Sequence, residues 1–562
     1  MKNTAEHLLL KHFEQVSEAP DAVPRMRRFI LDLAVRGKLV QQDSTDEPAA
    51  KLLKRIEAEK KQLVKDGTVK APNGLSPVRD AEITCDIPVG WKWTRLGDSV
   101  NCHFGGGTPS KGNSSYWGGD IYWASVKDIG KSKYVDHTID KITEAGWANS
   151  SSNLIQPGNL IVVTRMGLGK VSINRVPVAI NQDLRALSLS SLAAIDFYYI
   201  FFKTASYEGT GLTVKGIKVG ELLNFPFLLP PLAEQHRIVA KVNELMALCD
   251  KLESAHIKRE SRRDLLVAAT LHGLNNGDAG SESDELLPFE ESARFYFNHL
   301  QRLTIRSEHI QQLRQTILRL AFRGHLVPQN AEDVALPTFS GKAKSKPANF
   351  DGDVFRKAIS AITLPSNWLM APLTDVCAAI VDCPHSTPIW TKKGQICVRT
   401  NQFRPGYLNL ADVRYVSEET YQERIQRLEP AEDDILYSRE GGILGVACRV
   451  PANAILCLGQ RMMLIRSGPA VLPSFLEMLL NSPLITSIAR GMTTGGAAPR
   501  VNVATVKAYP IPLPPLAEQH RIVAKVNELM ALCDKMAAQI TKTSTNRRQL
   551  LDATLNEALC RN

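Results

Sequence analysis

The chain has 562 residues, 44% of them hydrophobic, which suffices for several domains with real cores and excludes a disordered chain. No apolar run reaches the roughly 18 residues of a membrane span, and the N-terminal MKNTAEHLLLKHFEQ has no apolar stretch of the kind a secretory leader needs, so a cytoplasmic protein is expected. The net charge of +10 suits a polyanionic partner, and ten scattered cysteines without a C-x-x-C pair speak against a zinc or thioredoxin-like site.

In chain order, an N-terminal helical region spans 1–86. Within it Met26, Phe29, Ile30 and Leu33 form a narrow apolar stripe, and 47–66 reads as a short charged helix. Residues 87–230 have another texture: short β-branched runs such as NLIVVT alternate with Gly, Pro, Asn and Ser turns, which predicts a globule of strands and loops with a helix at 197–204. A long helix follows over 231–272, opened by Pro-Pro and a first-turn acid, Glu234. After an acidic linker, 273–293, a second central helix is expected at 294–329, striped by Leu313, Ile317 and Leu320. A further linker, 330–363, leads to a second globule over 364–514, containing DDILYS and a helix at 475–481, and a C-terminal helix fills 515–562.

This order is a duplication. PPLAEQHRIVAKVNELMALCDK at 230–251 returns letter for letter at 514–535. ILDLAVRGKLVQQ at 30–42 returns as ILRLAFRGHLVPQ at 317–329, and IPVGWKWTRLGDSV at 87–100 returns faintly as LPSNWLMAPLTDVC at 364–377. A period of this length means two domain-sized copies, not a solenoid. In the repeated helix Ile238, Val242, Leu245, Cys249 and Leu252 recur at 4-3-4-3 spacing, as do Ile522, Val526, Leu529, Cys533 and Met536. That is a seam for pairing with another helix, with the two cysteines as core residues. The short striped helices are the expected antiparallel partners. Identical helices must make equivalent contacts, so an intrachain pseudo-twofold could present equivalent surfaces to two copies of one partner. Two unlike heads on a rigid spacer suit a split site on double-stranded DNA, where spacing is geometric.

The chain resembles the specificity subunit of Type I restriction–modification enzymes. GGGTPSKGNSSYWGGDIYWASVKDI at 105–129 looks like the opening of a target recognition domain. SSSNLIQPGNLIVVTRMGLGKVSINRVPVAINQDLRAL at 150–187 looks like its middle, and PLAEQHRIVAKV is similar to the helix that follows. The second copy departs, with DCPHSTPIW for the first motif and SREGGILGVACRV for TRMGLGKVSINRV. The resemblance implies a mixed α/β (α+β) fold: two globular target recognition domains separated by paired long antiparallel helices, a coiled-coil-like spacer with pseudo-twofold symmetry. It implies a non-catalytic, DNA-reading role beside two modification (methyltransferase) subunits that methylate adenine and two restriction subunits. S-adenosylmethionine, ATP and Mg2+ would sit on those partners, with no cofactor, metal, catalytic residue or membrane contact on this chain.

Two tempting loops read otherwise. FGGGTPS lacks the third glycine of a dinucleotide fingerprint, and GLGK lacks the first glycine of a P-loop. The Pro-Pro pairs open helices and are followed by Leu-Ala-Glu, not by the aromatic residue that an adenine methyltransferase motif would need. By residue type, Arg reads guanine, Asn and Gln read adenine, and Lys holds phosphate. The DNA-contact candidates of the first head are Thr108, Ser110, Lys111, Lys127, Arg165, Lys170, Gln182 and Arg185. Those of the second are His385, Thr387, Arg399, Asn401, Gln402, Arg439, Gln460, Arg461 and Arg500. Trp117 and Trp123 are expected in the core. A few bidentate contacts at about 1–3 kcal/mol each make two heads, not one, sufficient for a specificity gap of roughly 4–10 kcal/mol. A two-headed protein–protein adaptor and an autonomous methyltransferase are the alternative readings.

Overall fold

The computed structural model describes residues 12–69, 74–83, 85–205, 216–276, 289–334, 353, 356, 363–494 and 499–560. Most of the two expected linkers lies outside the described residues. The chain divides into two units, Met1–Lys258 with Ser544–Asn562, and Arg259–Thr543. Two helices of 45 residues, Leu232–Asn276 and Leu516–Cys560, each contribute to both units.

In the first unit a small antiparallel pair, Lys92–Arg95 with Pro226–Leu229, closes the base of the head. Above it stands a five-stranded sheet in the order Val100–Phe104, Leu184–Leu189, Leu160–Val163, Val171–Asn174, Tyr134–Val135. A four-stranded sheet runs Asp140–Ile142, Trp117–Ala124, Val178–Ile180, Leu154–Ile155. The run LIVV is buried at every position, as expected of a strand covered on both faces. The second unit repeats the plan. Leu369–Pro372 pairs with Pro510–Leu513. One sheet runs Cys377–Asp382, Met462–Ser467, Ile435–Ser438, Ala447–Arg449, and the other Trp390–Thr391, Arg414–Val416, Gln395–Val398, Leu456–Leu458. A hairpin, Phe403–Arg404 with Tyr407–Leu408, is its own addition. The expected head helices are Ile195–Thr204 and Pro473–Leu480, and the charged helix is Ala49–Lys65.

The seam residues pack within each unit. Ile238, Val242 and Cys249 are buried in one core with Val23 and Ile30 of the short helix Ala22–Val35 and with the head residues Phe197 and Tyr198, while Leu245 and Leu252 are partly buried against it. Ile522, Val526 and Cys533 share the second core with Ile310, Leu313 and Ile317 of Ser307–Ala321, with Leu529 and Met536 partly buried. Short and long helices run antiparallel: Arg27 meets Asp250 at 2.6 Å, and further along Asp46 meets Arg237 at 2.6 Å. The second unit repeats this with Arg314–Asp534 and with Asp333–Arg521 at 2.6 Å. Each short helix also holds the far end of the other long helix. Arg25 pairs with Asp552 and Lys38 donates to the Leu559 carbonyl; in the second unit Arg306 pairs with Asp264 and Arg323 donates to the Asn275 carbonyl.

The stretch expected as one helix over 294–329 is instead three pieces, Phe289–Asn298, Leu300–Leu303 and Ser307–Ala321. The chain leaves helical geometry at Thr304, whose hydroxyl meets the buried Tyr296 phenol at 2.9 Å. The repeated Arg-Gly also has a geometric reason. Gly37 and Gly324 take φ of 68° and 81°, and an added Cβ would stand 2.5 Å from Pro88 and 2.3 Å from Pro365 respectively.

The repeated Ala-Glu-Gln anchors the heads. Glu234 and Glu518 are buried and accept from the indoles of Trp91 (2.8 Å) and Trp368 (3.1 Å). Buried Gln235 and Gln519 accept from the backbone amides of Ala194 (3.0 Å) and Leu472 (2.8 Å), the residues that open the head helices. Burial raises both glutamates above the ordinary 4.5. Their contribution to stability is therefore full below that value and is lost as pH rises through the folded values. Glu234→Gln with Glu518→Gln should raise the urea midpoint relative to wild type more at pH 8 than at pH 5. Trp91→Phe, which leaves a buried acceptor unpaired, should cost about 1–3 kcal/mol in the same assay.

Candidate nucleic-acid interface

In the first head, strand Val100–Phe104 runs into three glycines that lie against the sheet. A Cβ on Gly106 would sit 2.0 Å from the Ile180 carbonyl, and one on Gly105 2.0 Å from the Arg185 guanidinium. The glycines are there for close packing, and they deliver Thr108, whose hydroxyl donates to Gln182 Oε1 at 2.5 Å. Thr108, Lys111, Lys127 and Gln182 line one recess of about 700 Å³ together with Trp117, Trp123, Asp140 and Asn181. Trp123 is buried and donates to the Gly107 carbonyl, and Trp117 stands edge-on to it at 5.1 Å. Arg165 is exposed beside the recess, 3.7 Å from Asp183. Ser110 and Lys170 are exposed but do not line the recess. Arg185 is half-buried against Gly105, and burial lowers its pKa.

Sequence reasoning missed Met166, which also lines the recess; it is 66% exposed and held at φ 58°. A large apolar side chain in left-handed backbone is unusual, and nothing in its local sequence signals that geometry.

In the second head the loop ends on the same Thr-Pro step. Gln460 Nε2 donates to the His385 carbonyl at 2.7 Å and lies 3.3 Å from the Thr387 hydroxyl. His385, Thr387, Arg461 and Arg500 are exposed, and Arg461 takes φ 68°. The structure corrects two candidates. Arg439 is 6% exposed and forms a two-pronged pair with Asp382, both bonds 2.9 Å. Gln402 is buried, with its oxygen on the Arg399 amide and its nitrogen on the Asp412 carbonyl, both 2.8 Å. Neither has a free edge for a base, because burying such groups demands internal partners. Arg399 pairs with Asp412 at 3.2 Å, and Asn401 is exposed on the same turn. RTNQFR is therefore largely a self-bonded turn.

With this geometry in place, the comparisons with known proteins define the class. The family model described as "Type I restriction modification DNA specificity domain" matches residues 88–260 and 365–543, so the chain belongs to that family and carries its domain twice. The Escherichia coli Type I restriction enzyme EcoAI specificity subunit is 26% identical over 96% of this chain and 94% of its own length. The EcoEI specificity subunit, from the same organism, is 25% identical over the same shares. A chain from a solved structure on assembly and conformational transition of the type I R-M system aligns over 84% of this chain and 98% of its own, at 18% identity and a TM-score of 0.46.

Lys127→Ala should weaken binding evenly across DNA sequences and lower the slope of log affinity against log salt by about 1 in filter binding. Arg439→Ala should instead cost about 3–5 kcal/mol of stability, since it strands Asp382, and urea denaturation measures it.

Proposed function

We propose that this chain is the DNA-reading subunit of a Type I restriction–modification complex, each head reading one half of a bipartite target. The observation that carries the reading is the division of identity along the chain. Two heads share a two-sheet plan yet present different side chains, while the long helices that hold them repeat letter for letter over 232–251 and 516–535. The identity extends beyond buried positions. On the first helix Ala233, His236, Ala240, Asn243, Ala247 and Leu248 are exposed, and on the second so are Ala517, His520, Ala524, Asn527, Ala531 and Leu532. Leu248 and Leu532 are 52% and 47% exposed. Packing within the unit places no demand on such residues, whereas docking the same partner twice demands that they match.

On this reading two modification subunits dock on the two copies and carry S-adenosylmethionine, with adenine as the methylated base. Two restriction subunits add ATP- and Mg2+-dependent activity. This chain contributes recognition alone, binds no cofactor, and works in the cytoplasm. The two long helices, each about 68 Å at the usual rise, pair antiparallel as the spacer that sets the gap between half-targets. Support for that pairing is that each short helix grips the near part of one long helix and the far end of the other.

Replacing residues 87–230 with another recognition domain should change one half-target in the methylation motif and leave the other intact; a change in both would sink the division of labour. Ala240→Arg should leave one modification subunit bound per chain, and Ala240→Arg with Ala524→Arg none, by mass measurement of the purified assembly.

A further inference from the structure

Strand register makes the two heads comparable residue by residue at their tips. In the first, Leu184 faces Val163, and the Asp183 carbonyl accepts from the Thr164 amide. In the second, Met462 faces Ser438, and the Arg461 carbonyl accepts from the Arg439 amide. Asp183 and Arg461 are therefore equivalent, as are Arg165 and Glu440, and as are Gln182 and Gln460. Isolated bridges agree: Arg165 pairs with Gly216 where Glu440 pairs with Arg500.

Of this set only the glutamine is common, and in both heads it is bonded to the Thr of a Thr-Pro step, accepting through its oxygen in the first and donating from its nitrogen in the second. Around it the charges are exchanged. The first head has its arginine on one strand, with the side chain 52% exposed, facing an aspartate that is 12% exposed on the other. The second head has exposed Arg461 on the opposite strand, and an acid, Glu440, with its side chain 20% exposed, where the first head has Arg165.

Resting on the DNA-reading function above, we propose that the exchanged arginine, Arg165 in the first head and Arg461 in the second, contacts a guanine on a different side of the Thr-set glutamine in each half-target. Arg satisfies the guanine major-groove edge in a two-bond fashion. A fixed glutamine with an arginine moved across the strand pair reads two different words with one backbone. In the first head the Arg165 guanidinium lies 3.7 Å from the Asp183 carboxylate, and in the second Glu440 pairs with Arg439 at 3.2 Å, which leaves Arg461 exposed.

The test uses the full complex with its modification subunits and reads the methylated motif by sequencing genomic DNA. Arg165→Glu with Asp183→Arg gives the first head the charge order of the second. Methylation at the original sites should fall about ten- to a hundredfold, the range of one lost bidentate contact, with a guanine position altered in the first half-target and the second unchanged. Arg461→Ala, which breaks no ion pair among the described residues, should relax one guanine position of the second half-target alone. A wild-type motif from the exchanged variant, or an undiminished second half-target from Arg461→Ala, would overturn the inference. No bipartite motif from the wild-type complex would instead overturn the DNA-reading function itself.

Discussion

The joint between head and helix rests on two adjacent buried side chains. A glutamate at the start of each long helix accepts a hydrogen bond from the indole N–H of a tryptophan that stands just before the head's first strand, and the neighbouring glutamine accepts one from the backbone amide that opens the head's helix. A buried acceptor is costly when unpaired, so the indole and the amide are held in place. The closing strand pair and the apolar seam then fall into register around them. Because Glu, Gln and their partners recur in both units, the two heads are mounted in the same way on the same scaffold, whatever they carry at their tips.

That mounting explains how divergence is tolerated. The tips are loops at strand ends, and their side chains contribute little to the cores. Arg165 can face Asp183 in one head, and Glu440 can pair with Arg439 in the other while Arg461 stays exposed, without disturbing Val163 against Leu184 or Ser438 against Met462. The scaffold is under the opposite constraint. Its buried face must fit two heads, and on the proposed function its exposed face must fit two copies of one partner, which leaves few positions free to drift.

Much of the architecture was legible because it is written in periodicity. The 4-3-4-3 seam, the striped short helices and the β-branched runs each follow from burying one face of a regular element. Where the reading failed, the helix expected over 294–329 is interrupted at His299 and again at Thr304, whose hydroxyl meets the buried Tyr296 phenol, and it ends at Ala321. In the site the same contest was less visible. Arg439 and Gln402 have the residue types of base readers, yet an aspartate and a turn consume their hydrogen-bonding groups. Thr108, Lys111, Lys127 and Gln182 do share one recess, although Gln182 lies more than fifty positions from the others.

By itself the sequence determined that there are two copies, where the repeated long helices begin, and which face of each is buried. All of these follow from composition and spacing along the chain. Only the tertiary structure decided which polar side chains remain available to a ligand. It also decided that the glutamines of the two heads are equivalent while the charges around them are exchanged. Availability depends on partners brought close from distant positions, and equivalence depends on strand register, which neither residue type nor local spacing encodes.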